Sequence, residues 1–85
     1  MTCYTVEVTV KAKKQIRKLL PITKFRIAHA LEDLASDPYR GKILKANLKG
    51  LYSYRIGDYR IIYQIFKNKL IIQIIKVMHR RDVYR

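Results

Sequence analysis

Residues 51–66 read LYSYRIGDYRIIYQIF and give the clearest structural signal in the chain. Two runs rich in tyrosine and isoleucine, 51–56 and 59–66, flank Gly57 and Asp58, a pair typical of a two-residue β-hairpin turn. Side chains alternate along a strand, so one face of the hairpin collects Tyr52, Tyr54, Ile56, Tyr59, Ile61, Tyr63 and Ile65. The other face collects Ser53, Arg55, Arg60, Ile62 and Gln64. We therefore predict a hairpin with one face in the core and the other in solvent.

The sequence on both sides of the hairpin extends the sheet. Residues 67–69 form a polar turn, and the β-rich run 70–78 predicts a third strand that adds Gln73 to the solvent face. Near the N-terminus, the β-branched run 4–10 predicts another strand.

Two helices are predicted between the first strand and the hairpin. One begins at Lys11, has an apolar stripe and a cationic back, and is stopped by Pro21. The other is capped by Thr23, places Ile27, Leu31 and Leu34 on one face, and ends at residues 36–38.

The predicted order is β-α-α-β-β-β, with a loop over residues 37–46. We expect one α+β domain over residues 1–85, since 85 residues leave room for a single modest core. A two-helix hairpin should pack on one face of a mainly antiparallel four-stranded sheet.

The charge balance indicates a polyanionic partner. The chain has 19 Lys and Arg against 6 Asp and Glu, a formal net charge of +13. A positive electrostatic field of this size favours binding to nucleic acid, although an acidic protein could be attracted by the same field. A single cysteine, Cys3, and the lack of any signal peptide or membrane-spanning run lead us to expect a cytoplasmic protein that does not contact membranes.

The acids are too scattered to suggest a metal site, and no Gly-rich loop follows a strand to hold a nucleotide. We therefore expect neither a metal nor a cofactor. The candidate chemistry lies instead in a cationic and aromatic cluster on or beyond the last three strands: Arg55, Arg60, His79, Arg80, Arg81, Tyr84 and Arg85.

These side-chain types suit metal-free RNA cleavage, which needs cations to stabilise a phosphorane and groups that move protons. Each also has a simpler interpretation. Arg55 could be an ordinary exposed strand residue, and His79 could be a packed or solvated histidine. Tyr84 could belong to a frayed terminus.

Three segments together resemble the RelE/ParE toxins: Leu48-Lys49-Gly50, the run Tyr54 to Tyr63, and the run Val77 to Tyr84. The resemblance covers almost the whole chain and implies a RelE-like fold. It also implies a toxin of a type II toxin–antitoxin system, a ribosome-dependent messenger-RNA endonuclease that leaves a 2′,3′-cyclic phosphate. Its partners would be messenger RNA on the ribosome and a cognate RelB-like antitoxin that silences it, in a complex that could be a heterotetramer.

The resemblance also implies roles for individual residues. Arg60 and Arg80 would stabilise the phosphorane, and Tyr84 would orient the 2′-hydroxyl, take its proton or stack on a base. Arg55 stands near the position of a catalytic lysine in the family. A second such lysine is replaced at or near Ser53, a gap that His79 could fill. RNA contacts are assigned to Lys13, Lys14, Arg17, Lys49, Arg81 and Arg85.

Two other functions remain open at this point. The same fold serves ParE-like inhibition of DNA gyrase without nuclease chemistry, and a toxin fold can also bind RNA or antitoxin without catalysis. The presence of Arg60, Arg80 and Tyr84 together favours the nuclease.

Overall fold

The computed structural model describes residues 3–44 and 50–83. In these ranges one strand precedes two helices, and four further strands and a helical turn follow. Two 3₁₀ turns, Pro38–Arg40 and Lys67–Lys69, connect some of them. The bounds are β1 (Thr5–Val8), α1 (Val10–Arg17), α2 (Pro21–Ser36), β2 (Lys42–Ile43), β3 (Leu51–Ile56), β4 (Tyr59–Phe66), β5 (Ile71–His79) and α3 (Arg80–Val83).

The sheet has five strands in the order β1-β5-β4-β3-β2. β1 pairs parallel with β5, and the other pairs are antiparallel. The α+β class and the mainly antiparallel sheet are confirmed, but the predicted count of four strands is wrong. β2 was missed because it has only two residues, Lys42 and Ile43, inside the segment that the sequence assigned to a loop.

The hairpin has its predicted bounds, and Gly57 takes a φ of +56° in the turn, a conformation that glycine adopts without strain. The helix starts differ from prediction. Thr9 caps α1, its hydroxyl accepting the Ala12 N–H at 3.2 Å. Pro21 does not stop α1 but occupies the first turn of α2, where its missing N–H costs nothing.

Both helices cover one face of the sheet. Ala12 of α1 and Ile27, Ala30 and Leu34 of α2 are buried against a set of strand side chains that comprises Ile61, Tyr63, Ile72, Ile74 and Val77. Gln15 ties α1 to the sheet because its Oε1 accepts the Val77 N–H at 2.7 Å. No helix within the described ranges is long and apolar enough to cross a bilayer.

The opposite face of the sheet carries Arg55, Arg60 and Gln64, as predicted, but it is less solvated than expected. Ser53 is 7% exposed and Ile62 is 5% exposed. β4 is a central strand with β3 and β5 on either side, and β2 pairs along Ser53, so neighbouring strands shield both side chains.

A β-bulge in β5 changes which side chains face the helices. Ile62 pairs with Lys76 and Tyr63 with Ile74, so Ile75 has no partner on β4. The extra residue shifts the alternation by one position. Beyond the bulge the odd-numbered residues point to the helix face, and His79 pairs with Tyr59.

Candidate nucleic-acid interface

The hairpin brings two guanidiniums together on the open face of the sheet. Arg55 on β3 pairs directly with Arg60 on β4. The Arg55 Nε also donates to the Gly57 carbonyl at 3.3 Å, which holds the side chain beside the turn. Like charges directly opposite each other destabilise a sheet, so an anion bound between them would relieve a cost built into the fold.

The end of β5 brings two more guanidiniums to the same place. The Arg80 N–H donates to the Asp58 carbonyl at 2.6 Å, so the first residue of α3 is fixed to the hairpin turn by a backbone bond. The Arg80 Nη1 lies 4.0 Å from the Asp58 Oδ1, with both side chains more than 60% exposed. An ion pair this exposed adds little stability, so the backbone bond is the main anchor of Arg80.

These segments enclose an open hollow of about 500 Å³. It is lined by four guanidiniums, one carboxylate and one phenol: Arg55, Arg60, Arg80, Arg81, Asp58 and Tyr59. Guanidinium groups stay charged at all ordinary pH values and bind phosphate oxygens through paired N–H donors. The hollow is therefore suited to a phosphodiester.

Tyr59 was assigned to packing from the sequence, and the structure gives it two roles. Its ring packs against the core cluster, yet it also lines the hollow. The sequence did contain a signal for the second role. Tyr59 directly follows the Gly57–Asp58 turn, and a residue there lies close to both guanidiniums of the hairpin.

His79 does not line the hollow. Its ring packs edge-on against Tyr59, with centroids 5.0 Å apart, on the helix side of the sheet. Its Nδ1 accepts the Arg81 N–H at 3.2 Å, which caps the first turn of α3. His79 therefore contacts Tyr59 and the backbone of α3 rather than the hollow, and its assignment to the gap at Ser53 stays a prediction.

Six predicted residues remain, and the structure describes three of them. Lys13, Lys14 and Arg17 are exposed on α1 but line neither this hollow nor its neighbour. Lys49, Tyr84 and Arg85 lie outside the described residues.

A second hollow of about 420 Å³ adjoins the first and shares Arg55 and Arg60 with it. Its outer wall comes from residues 40–44, including Arg40 and Lys42, which the sequence analysis did not single out. Those residues have no local motif. Tertiary contacts alone bring them to the sheet.

Comparison with known proteins identifies the family of this chain. A family model described as "ParE toxin of type II toxin-antitoxin system, parDE" matches residues 6–84. The chain belongs to the RelE/ParE toxin superfamily. Within this superfamily the toxin is 39% identical to Toxin RelG of Mycobacterium tuberculosis, over 96% of this chain and 97% of the relative.

Other relatives agree at the level of sequence and fold. The toxin is 33% identical to Toxin RelE of the same organism, over 96% of this chain and 87% of the relative. Its fold matches a chain in the crystal structure of the M. tuberculosis toxin–antitoxin complex RelBE2 with a TM-score of 0.84 and 38% identity, covering 94% of each chain. It is a RelE-like toxin of a type II toxin–antitoxin system.

Proposed function

We propose that this toxin is a metal-independent endoribonuclease that cuts messenger RNA on the ribosome. A single domain spanning residues 1–85 would carry both binding and cleavage. The observation that carries the proposal is the convergence of Arg55, Arg60, Arg80 and Arg81 on one hollow of phosphodiester size. The likeness to toxins named RelE and RelG supports it.

In the proposed reaction the 2′-oxygen of one nucleotide attacks the adjacent phosphorus, and the bond from phosphorus to the 5′-oxygen breaks. The 2′-hydroxyl loses its proton as it attacks and the leaving 5′-oxygen takes up a proton, so the products are a 2′,3′-cyclic phosphate and a 5′-hydroxyl. Charge builds on the phosphorane oxygens in the transition state, where fixed guanidiniums stabilise it most. Arg60 would supply this stabilisation from β4 and Arg80 from the start of α3.

Proton transfer is assigned to Tyr84, which would orient the 2′-hydroxyl or take its proton. The proposal rests here on the resemblance, and Arg55 would add positive charge in place of a lysine. Lys13, Lys14, Arg17, Lys49, Arg81 and Arg85 would contact RNA phosphates outside the scissile bond, on the messenger or on the ribosome.

The proposed protein partner is a cognate RelB-like antitoxin. Solved toxin–antitoxin complexes are among the structural neighbours of this chain. A net charge of +13 favours an acidic or amphipathic segment that covers the cationic hollow. Toxin and antitoxin could assemble into a heterotetramer. The site of action would be the cytoplasm, where ribosomes translate.

The test is primer extension on a messenger RNA in a translating extract. We expect Arg80→Ala to lower cleavage by roughly two to three powers of ten, the typical cost of losing one charge-stabilising donor. Its bond to Asp58 uses the backbone N–H, so the fold should persist. Arg26→Ala, an exposed arginine of α2 on the other side of the sheet, is the matched control and should cleave normally. Normal cleavage by Arg80→Ala would end the proposal.

Gyrase inhibition is the second candidate, because the matching family model describes a ParE toxin. A supercoiling assay run beside primer extension separates the two functions. Inhibition of gyrase with no cut messenger RNA would replace the nuclease with a ParE-like activity. If neither effect occurs, the toxin fold binds its partners without catalysis.

A further inference from the structure

We propose that Arg40 and Lys42 form a second phosphate subsite, next to the arginine hollow, that binds the single-stranded RNA beyond the scissile nucleotides. The subsite occupies the second hollow, between the Pro38–Leu44 segment and the open face of β3. The inference rests on the proposed RNA substrate and extends its footprint along the sheet.

The register of β2 fixes the direction of Lys42. Lys42 pairs with Ser53, so both side chains share the open face with Arg55, two residues further along β3. Strands lie about 4.8 Å apart and rise about 3.3 Å per residue, which separates Lys42 from Arg55 by roughly 8 Å between Cα atoms. Long, flexible side chains at this separation can reach consecutive phosphates of one strand.

The backbone around Arg40 is held by a buried phenol. The Tyr63 hydroxyl donates to the Pro38 carbonyl at 2.7 Å and accepts the Gly41 N–H at 3.2 Å. Tyr63 is fully buried, and burial raises its pKa to about 12, so it remains a neutral donor under physiological conditions. The segment that carries Arg40 and Lys42 is therefore bonded to the central strand β4 at two points, Pro38 and Gly41.

Close packing at Gly41 adds to this rigidity. A Cβ at Gly41 would lie 2.5 Å from the Tyr63 Oη and 2.7 Å from the Ser53 carbonyl oxygen. Glycine thus lets the segment lie directly on the sheet, with the two cations on either side of the contact. Because the backbone between Arg40 and Lys42 is fixed, binding an RNA strand has to order only the two side chains and not the segment that carries them.

Among the described residues, neither Arg40 nor Lys42 forms an ion pair, although Asp37 lies close by and its carbonyl accepts the Arg40 N–H at 3.2 Å. All six acids belong to the described ranges, and the ion pairs found there join His29 to Asp33 and Arg80 to Asp58. No carboxylate is among the described residues that line the second hollow, whereas Asp58 lines the first. Its lining instead combines Arg40 and Lys42 with the shared Arg55 and Arg60, so one continuous cationic path links the hollows.

The experiment measures binding without cleavage. Fully 2′-O-methylated oligouridylates of three and eight nucleotides lack the attacking hydroxyl, and an end label reports binding by fluorescence anisotropy. The variants are Arg40→Ala/Lys42→Ala and a control, Lys67→Ala/Lys69→Ala, which removes the same charge from the exposed turn between β4 and β5. Thermal melts by circular dichroism confirm that both variants fold.

We expect the subsite variant to bind the octamer roughly tenfold more weakly than wild type and the trimer almost as well. The slope of log K against log salt for the octamer should fall by about 1.4, since each lost phosphate contact on a single strand contributes about 0.7. The control variant should keep the length dependence of the wild type.

Two results would overturn the subsite, and they are distinguishable. If wild-type toxin binds the octamer and the subsite variant matches the control, the subsite is wrong while the RNA function stands. If wild-type toxin binds neither oligomer, the subsite is wrong as a site for free RNA. Primer extension in the translating extract then decides the proposed function separately, because cut messenger RNA there would leave the nuclease standing.

Discussion

Replacing Tyr63 with phenylalanine tests how strongly one hydroxyl holds the segment beside the groove. The ring should stay in place, since Tyr63 is fully buried and stacks on Tyr52 with centroids 5.6 Å apart. The change removes both hydrogen bonds and leaves the Pro38 carbonyl and the Gly41 N–H without their partner. A buried polar group without a partner costs about 1–3 kcal/mol, so we expect Tyr63→Phe to lower the free energy of unfolding by that amount.

Urea unfolding followed by circular dichroism measures this difference. In a chain of this size 1 kcal/mol shifts the melting temperature by roughly 4–8 °C, so thermal melts give a second reading. The urea dependence of the unfolding free energy should be the same in both proteins, because the surface exposed on unfolding is nearly unchanged. Equal stability of the two proteins would show that the hydroxyl does not hold the segment.

The stability difference between wild type and Tyr63→Phe should depend on pH in the alkaline range. The folded pKa of Tyr63, about 12, exceeds the ordinary value of 10.0 because the phenol is buried. A raised pKa means that the contribution of the phenol is complete below pH 10 and is lost as pH rises toward 12. The stability advantage of wild type over Tyr63→Phe should therefore shrink across this range. An advantage that grows with pH would contradict the assignment.

Two further predictions concern the helix cap and the charge. Thr9→Ala should lower the free energy of unfolding in urea by about 1–2 kcal/mol, because the Thr9 hydroxyl caps α1 and also donates to the Ile75 carbonyl at 2.9 Å. Thr9→Ser keeps the hydroxyl and should restore most of this stability. An alanine variant as stable as wild type would contradict the cap. The affinity of wild-type toxin for single-stranded RNA should fall steeply with salt as phosphate contacts release counterions, and a flat response in a filter-binding titration would exclude phosphates as the main contact.

The hairpin and its arginines were predictable from the sequence because the signals are local. Alternation over residues 51–66 and the Gly57–Asp58 pair set the register, and the register places Arg55 opposite Arg60. Antiparallel pairing of β5 with β4 then returns Arg80 to the turn. These steps need no knowledge of distant contacts.

The face of His79 was not predictable because the β-bulge has no sequence signature here. Ile72 and Ile74 point to the core, and regular alternation from them would send Met78 inward and His79 to the arginine face. The unpaired Ile75 reverses that order. β2 was missed for a related reason, since it depends on contacts of the Pro38–Leu44 segment with Tyr63, more than 20 positions away in sequence.

The sharing of Arg55 and Arg60 by the two hollows has a consequence for inhibition. A blocking molecule does not have to span the groove. Two carboxylates presented at the junction would occupy both shared guanidiniums and withdraw them from each hollow at once. If the toxin binds RNA as proposed, a short acidic peptide at this junction should compete with RNA for both hollows at once.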